Sequence, residues 1–197
     1  MATGVHEANK TVEGYLGDLI AVVKHVGEAV ARHAENDKVA RISGARGVLE
    51  QANRTLKRQL AELEAHAKSI GGTGAMGAIK ESITSMTGFI TGVYGTMRGE
   101  TASRIVRDDY TGVSFVLICT QMLHTTALAV GDQTTADLMM NHIRALPGVI
   151  MAMNSLLPHA VVADLGADHV PISNARAAEE ACRGHFEAWR SAETASA

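Results

Sequence analysis

The chain has 197 residues, enough for one domain with an appended tail and for a real core without disulfide or metal staples. Apolar residues make up 46%, which excludes a disordered chain. The net charge is −3 with no basic block, which argues against nucleic-acid binding.

Aromatic residues are only 4%, so the core must be built from Ala, Val, Leu, Ile and nine Met. Such a composition favours helix packing. Cys119 and Cys182 form no CxxC motif and no disulfide framework, and Met1 to Lys10 is polar with no secretory h-region. Both features lead us to expect a reducing cytoplasm.

Taken in chain order, the first helix is expected over residues 9–35. Its stripe is Leu16, Leu19, Val22, Val23, Val26, Val30 and His33, recurring at helical steps of three and four. Asn36-Asp37 punctuates it. A second stripe, Leu49, Ala52, Leu56, Leu60, Leu63, Ala67 and Ile70, is expected to end at Gly71-Gly72-Thr73-Gly74. A glycine-loosened connecting helix then carries Met76, Ile79, Ile83, Met86, Ile90, Val93 and Met97. It should be weak, because each interior glycine costs about 1 kcal/mol relative to alanine.

The next element is unusual. Between Tyr110 and Gly131 there is no Asp, Glu, Lys or Arg. A membrane span needs about 20 predominantly apolar residues, and this run also holds Thr111, Ser114, Thr120, Gln121, His124, Thr125 and Thr126. That polarity, with no basic flank, points away from lipid. A strand would stop sooner. Val113, Val116, Leu117, Leu123, Ala127 and Val130 keep the helical period, with Gly131 as the stop and Asp132 as the next N-cap. The run reads as a bundle helix buried over most of its surface. The fourth long helix carries Leu138, Met139, Ile143, Leu146, Ile150, Met153 and Leu157. It should be kinked at Pro147-Gly148 and stop at Pro158. Residues 159–172 read as an extended link, and Ser173 as the N-cap of a last helix striped by Ala178, Cys182, Phe186 and Trp189.

The expected fold is all-α: an antiparallel four-helix bundle over 1–158, then a link and a docked helix over 159–197. Short loops pair the helices into hairpins, and a long crossover joins the pairs.

The segments GYLGDLIAVVKHVGEAV, LKRQLAELEAHAKSIGG, RDDYTGVSFVLICTQMLHTTALAVGD and LMMNHIRALPGVIMAMNSLLP resemble the four helices of the bacterial YciF-type ferritin-like proteins. Order and spacing agree over about residues 9–158. The resemblance implies a ferritin-like bundle and a homodimer. It also implies a di-metal centre of inward carboxylates and histidines, and here the chain departs from it. The family's ligand positions fall at Val23 on the first helix and near Thr55 and Gln59 on the second. They fall at Val113 and Val116 on the third, and about Ala145 and Leu146 on the fourth. Hard or borderline metals in such sites need anionic oxygens, so no metal and no other cofactor is expected.

The first reading is therefore a metal-free, non-enzymatic bundle that acts by self-association or partner binding. A homodimer suits the first and connecting helices, which carry more apolar positions than one bundle face can hide. A second reading keeps a hollow centre that binds an apolar small molecule, for metal-independent chemistry. Gln59, Val113, Val116, Cys119, Thr120, His124 and Pro147 would then line it. A third retains di-metal oxidation through ligands that do not align. Isolated groups have plainer readings: His25 and Glu28 as a surface pair, Cys119 as a small hydrophobe, and His124 as a hydrogen-bonded core histidine with His142 as a possible neighbour. No phosphate loop and no nucleophile elbow is present.

Overall fold

In the computed structural model the backbone is described for residues 2–94 and 101–195, and side chains for Glu7, 9–70 and 101–188. The described residues form helices α1 (Ala2–Ala34), α2 (Asp37–Ala40), α3 (Ala45–Tyr94), α4 (Ala102–Val130), α5 (Gln133–Ala167) and α6 (Ala175–Ala195). None is in a strand.

α1 buries its stripe as expected: Leu16, Leu19, Val22, Val23, Val26 and Val30 are all in the core. The chain then turns through α2, whose N-cap Asn36 accepts the Lys38 N–H. Gly44, at φ 77°, leads into α3. Leu49, Ala52, Leu56, Leu63 and Ala67 form the buried face of α3. Its other face carries exposed i,i+4 ion pairs such as Arg46–Glu50, worth a few tenths of a kcal/mol each.

α4 ends where the sequence says. Gly131 takes the left-handed conformation at φ 79°, which costs a residue with no Cβ little. Asp132 then caps α5 by accepting the Thr135 N–H.

Contacts between elements fix the chain directions. His33 near the end of α1 meets Asp109 near the start of α4. Gln59 of α3 meets His142 of α5, and His66 further along α3 meets Thr135 earlier on α5. α1 is thus antiparallel to α4, and α3 to α5. The turns through α2 and Gly131 make α1/α3 and α4/α5 antiparallel hairpins. α3 and α4 then run the same way.

Three expectations need correction. α3 does not end at Gly71–Gly74; it is helical through Tyr94. Glycine weakens a helix but keeps its N–H donor, and only proline removes one. The side chains of the expected connecting helix, Met76 to Met97, lie outside the described residues. Nor does Pro158 stop the fourth helix. Both Pro147 and Pro158 lie inside α5, and the expected extended link over 159–172 is helical as far as Ala167. The 1–158 boundary therefore falls within a helix. A proline at 158 leaves the Asn154 carbonyl without its helical donor, and the Cys182 thiol of α6 lies 3.9 Å from that oxygen and 3.8 Å from the Ser155 hydroxyl. Finally, Asn174 rather than Ser173 caps α6, accepting the Ala177 N–H.

α6 lies against α5, with Cys182 buried and Phe186 half-buried, whereas Ala178 is exposed. The side chain of Trp189 lies outside the described residues.

Candidate functional site

The bundle centre is aliphatic. Val23, Val113, Val116 and Leu146 are at most 1% exposed, which leaves no water-sized space against them. Ala145 and Thr55 are half-buried. Among the described residues no three His, Cys, Asp or Glu side chains gather into a group able to hold a metal.

Polar groups enter the interior in two seams. In the α3/α5 seam, Gln59 donates from Nε2 to the His142 carbonyl at 3.1 Å. His142 Nε2 meets Glu62 Oε2 at 2.7 Å. One turn on, His66 Nε2 lies 2.7 Å from Thr135 Oγ1, and the Thr135 hydroxyl donates to Asp132. That hydroxyl has one proton to give, so the His66 Nε2 carries the hydrogen between them. Burial pushes the pKa of His142 down, and Glu62 only partly offsets it. Burial also lowers His66, against the pull of Asp132. In the α1/α4 seam, His33 Nδ1 lies 2.7 Å from Asp109 Oδ1. Burial raises the Asp109 pKa, and the His33 hydrogen bond opposes the rise. Asp109 Oδ2 and Gln59 Oε1 are buried without hydrogen-bond partners.

A cleft of about 130 Å³ opens at the bundle end, lined by Lys38, Arg41, Thr101, Ala102, Asp164 and Asp168 among others. A helix N-terminus favours an anion, but this one is already filled: the Asp164 carboxylate accepts the Ala102 and Ser103 N–H groups at 2.9 Å.

The residues expected to line a hollow centre do not share one space. Val113 and Val116 are core. Thr120 is buried and donates to the Val116 carbonyl at 2.7 Å. Gln59 belongs to the α3/α5 seam. Cys119 is half-buried, its thiol pushed up to about 11 by burial and by Asp18, which makes it a poor nucleophile. His124 is half-buried on α4; His142 meets Glu62 instead. Pro147 is exposed on α5. His25 is half-buried and Glu28 exposed.

The three histidine pairings escaped the sequence reading, although a signal existed. Gln59 and His66 interrupt an apolar stripe at core spacing, and His33 ends one. A polar residue at a core position needs a partner.

The outer side of α4 is the least expected surface. Its apolar window passes a membrane-span test by length and composition, yet only 28% of that window is buried; the corresponding window of α5 is 39% buried. The expectation of a helix buried on most of its surface is therefore corrected. Thr111, Thr125 and Thr126 donate their hydroxyls to the carbonyls of Arg107, Gln121 and Met122 at 2.8–2.9 Å. Such back-bonding hides the hydroxyl and leaves the methyl outward. Ile118 is 53% and Met122 49% exposed.

No family model, no curated protein and no solved structure matches this chain.

Proposed function

We propose that this chain is a metal-free, ferritin-like bundle that acts through its outer surface as an interaction module rather than as an enzyme. The observation that carries this reading is the packing at Val23, Val113, Val116 and Leu146. These are the positions where the YciF-type resemblance would put metal ligands, and aliphatic side chains fill the space. Buried carboxylates there would be costly without metal, and their absence fits a bundle that folds without it. The antiparallel hairpins and the shared direction of α3 and α4 support the ferritin-like topology. Each buried polar group that meets a partner across a seam holds register. The bundle surface then carries the activity, in a cytoplasmic setting.

Metal content tests the reading. After anaerobic loading with iron or manganese and desalting, elemental analysis should find well below one metal per chain. Two tightly held metals per chain, lost on substitution inside the bundle, would sink it.

A further inference from the structure

α4 has two apolar sides, and its own bundle uses one. Val113, Val116, Leu123 and Ala127 are buried in the fold. Thr111, Ile118, Met122 and Thr125 recur at helical spacing on the opposite side, and all four are exposed. From Tyr110 to Gly131 there is no Asp, Glu, Lys or Arg, which makes an uncharged strip about 30 Å long at 1.5 Å per residue. The core helix of a soluble bundle can be as long and as apolar, but it hides its apolar window. α4 hides 28% of its own.

We propose that this strip lies in the plane of a neutral, zwitterionic lipid bilayer, sunk to the boundary between headgroups and acyl chains. The binding mode deepens the reading of the chain as a metal-free interaction module, on which it rests, by naming the surface that the module meets.

Lipid is selected over a protein partner by the polar groups of the strip. Thr111 and Thr125 donate their hydroxyls to carbonyls of their own helix at 2.8 and 2.9 Å. A protein interface carries about one hydrogen bond per 100–200 Å², and these donors are already spent. Hydrocarbon makes the opposite demand, because it holds no water to satisfy a polar group. Nor does the strip carry a charge with which to choose or orient a protein partner. Its flanks are polar. Asp137, Asn141 and Arg144 are exposed on the neighbouring α5. On α1, Asp18 is exposed and close enough to Cys119 to help push up its thiol. Such groups suit the headgroup layer on either side of a sunken helix. They mix both signs, on a chain of net charge −3, so nothing favours an anionic lipid over a zwitterionic one.

The helix lies on the bilayer and does not cross it. Asp109 near the start of α4 is held inside the bundle by His33. α5, joined to α4 by one turn, meets α3 through His142 with Glu62 and Thr135 with His66. A spanning α4/α5 hairpin would strand all of these groups, whereas docking in the plane disturbs none of them. In-plane helices bury an apolar face by about 5–10 Å, which the strip can do with the bundle intact.

Flotation of the full chain with phosphatidylcholine vesicles tests this. The parent chain should float, equally at low and high salt, with no gain when phosphatidylserine is added. Ile118→Glu and Met122→Lys change side chains about half exposed, so helical circular dichroism should be unchanged. Each should lower the partition coefficient about tenfold, the scale set by losing the burial of one large apolar side chain. Val170→Glu, at an exposed apolar residue beyond α5, should float like the parent. A parent that stays at the bottom of the gradient would overturn the proposal. So would flotation that needs phosphatidylserine or is lost in salt, and flotation indifferent to both strip substitutions. A dimer that does not float, and that Ile118→Glu dissociates, would hand the strip to a second copy instead. Failure to float by a metal-free chain ends this proposal alone, whereas bound metal ends the reading beneath it.

Discussion

At the residue scale, the His33–Asp109 pair shows how the interior tolerates charge. Asp109 is 2% exposed, and His33 supplies its one hydrogen bond. Removing one member of a buried pair strands the other, at about 3–5 kcal/mol, whereas replacing both with apolar groups is often neutral or stabilising. His33→Ala is therefore expected to lower the denaturation midpoint sharply, and His33→Leu with Asp109→Leu to recover most of the loss. A urea titration of the two variants checks this, and equal destabilisation in both would contradict it. Cys119 gives a second test. With its thiol pKa near 11, only about a thousandth is thiolate at pH 8. Alkylation of the native chain at that pH should be slow at Cys119, and mass-mapped rapid labelling there would refute the assignment. The capping residues Gly131 and Asp132 were legible in the sequence because a cap acts within one turn. The His33–Asp109 contact was not, because its members lie 76 residues apart and only the fold brings them together.

At the element scale, the helices were legible from their stripes, while their ends were legible only where a cap stood. Gly131 ended α4 because its φ is positive and the next residue caps a new helix. Gly71–Gly74 did not end α3, and Pro158 did not end α5. Intrinsic preference is a weak prior that tertiary packing overrides, and Pro158 is buried in the fold, with Cys182 of α6 against the turn before it. The exposed side of α4 was not legible because an uncharged run shows that a helix is apolar, not how many of its faces its own bundle covers. α5 supplies the sharpest contrast between neighbours. Leu146 is fully buried and Pro147 is exposed. Leu146→Ala should cost about 2–5 kcal/mol through the cavity it leaves. Pro147→Ala restores a helical N–H and removes a residue roughly 3 kcal/mol worse than alanine in a helix interior. It should therefore raise the melting temperature. Calorimetry on both variants settles the pair, and a loss of stability at Pro147→Ala would contradict this reading of Pro147 as a purely local cost.

At the scale of the whole molecule, the two seams divide the work of holding the bundle together. Aliphatic packing supplies the drive to associate but fixes register loosely, since one Leu-rich stripe fits another after a one-turn slip. Polar pairs between α1 and α4 and between α3 and α5 penalise that slip, because each would lose its partner inside the core. This arrangement makes stability depend on pH in a definite direction. His66 and His142 both have native pKa values held below the ordinary 6.5 by burial. As pH falls below 6.5 the unfolded chain takes up protons at these sites while the native chain resists them, so stability declines with acidification until the native values are reached. Asp109 works the opposite way. Its native pKa is raised above 3.8, so its contribution is fullest in acid and is lost as pH rises through the native value. Asp164, lowered by its hydrogen bonds to the start of α4, loses its contribution as pH falls through 3.8. From about pH 7.5 to 5.5 the two histidines pull stability down as acid is added, against the contribution of Asp109. The melting temperature is therefore expected to drop across that interval. A His66→Gln, His142→Gln chain, which keeps polar heads for Thr135 and Glu62, should show a markedly shallower drop. Thermal melts of both chains at the two pH values decide the matter. Parallel slopes would move the acid sensitivity out of the α3/α5 seam and onto groups elsewhere in the bundle.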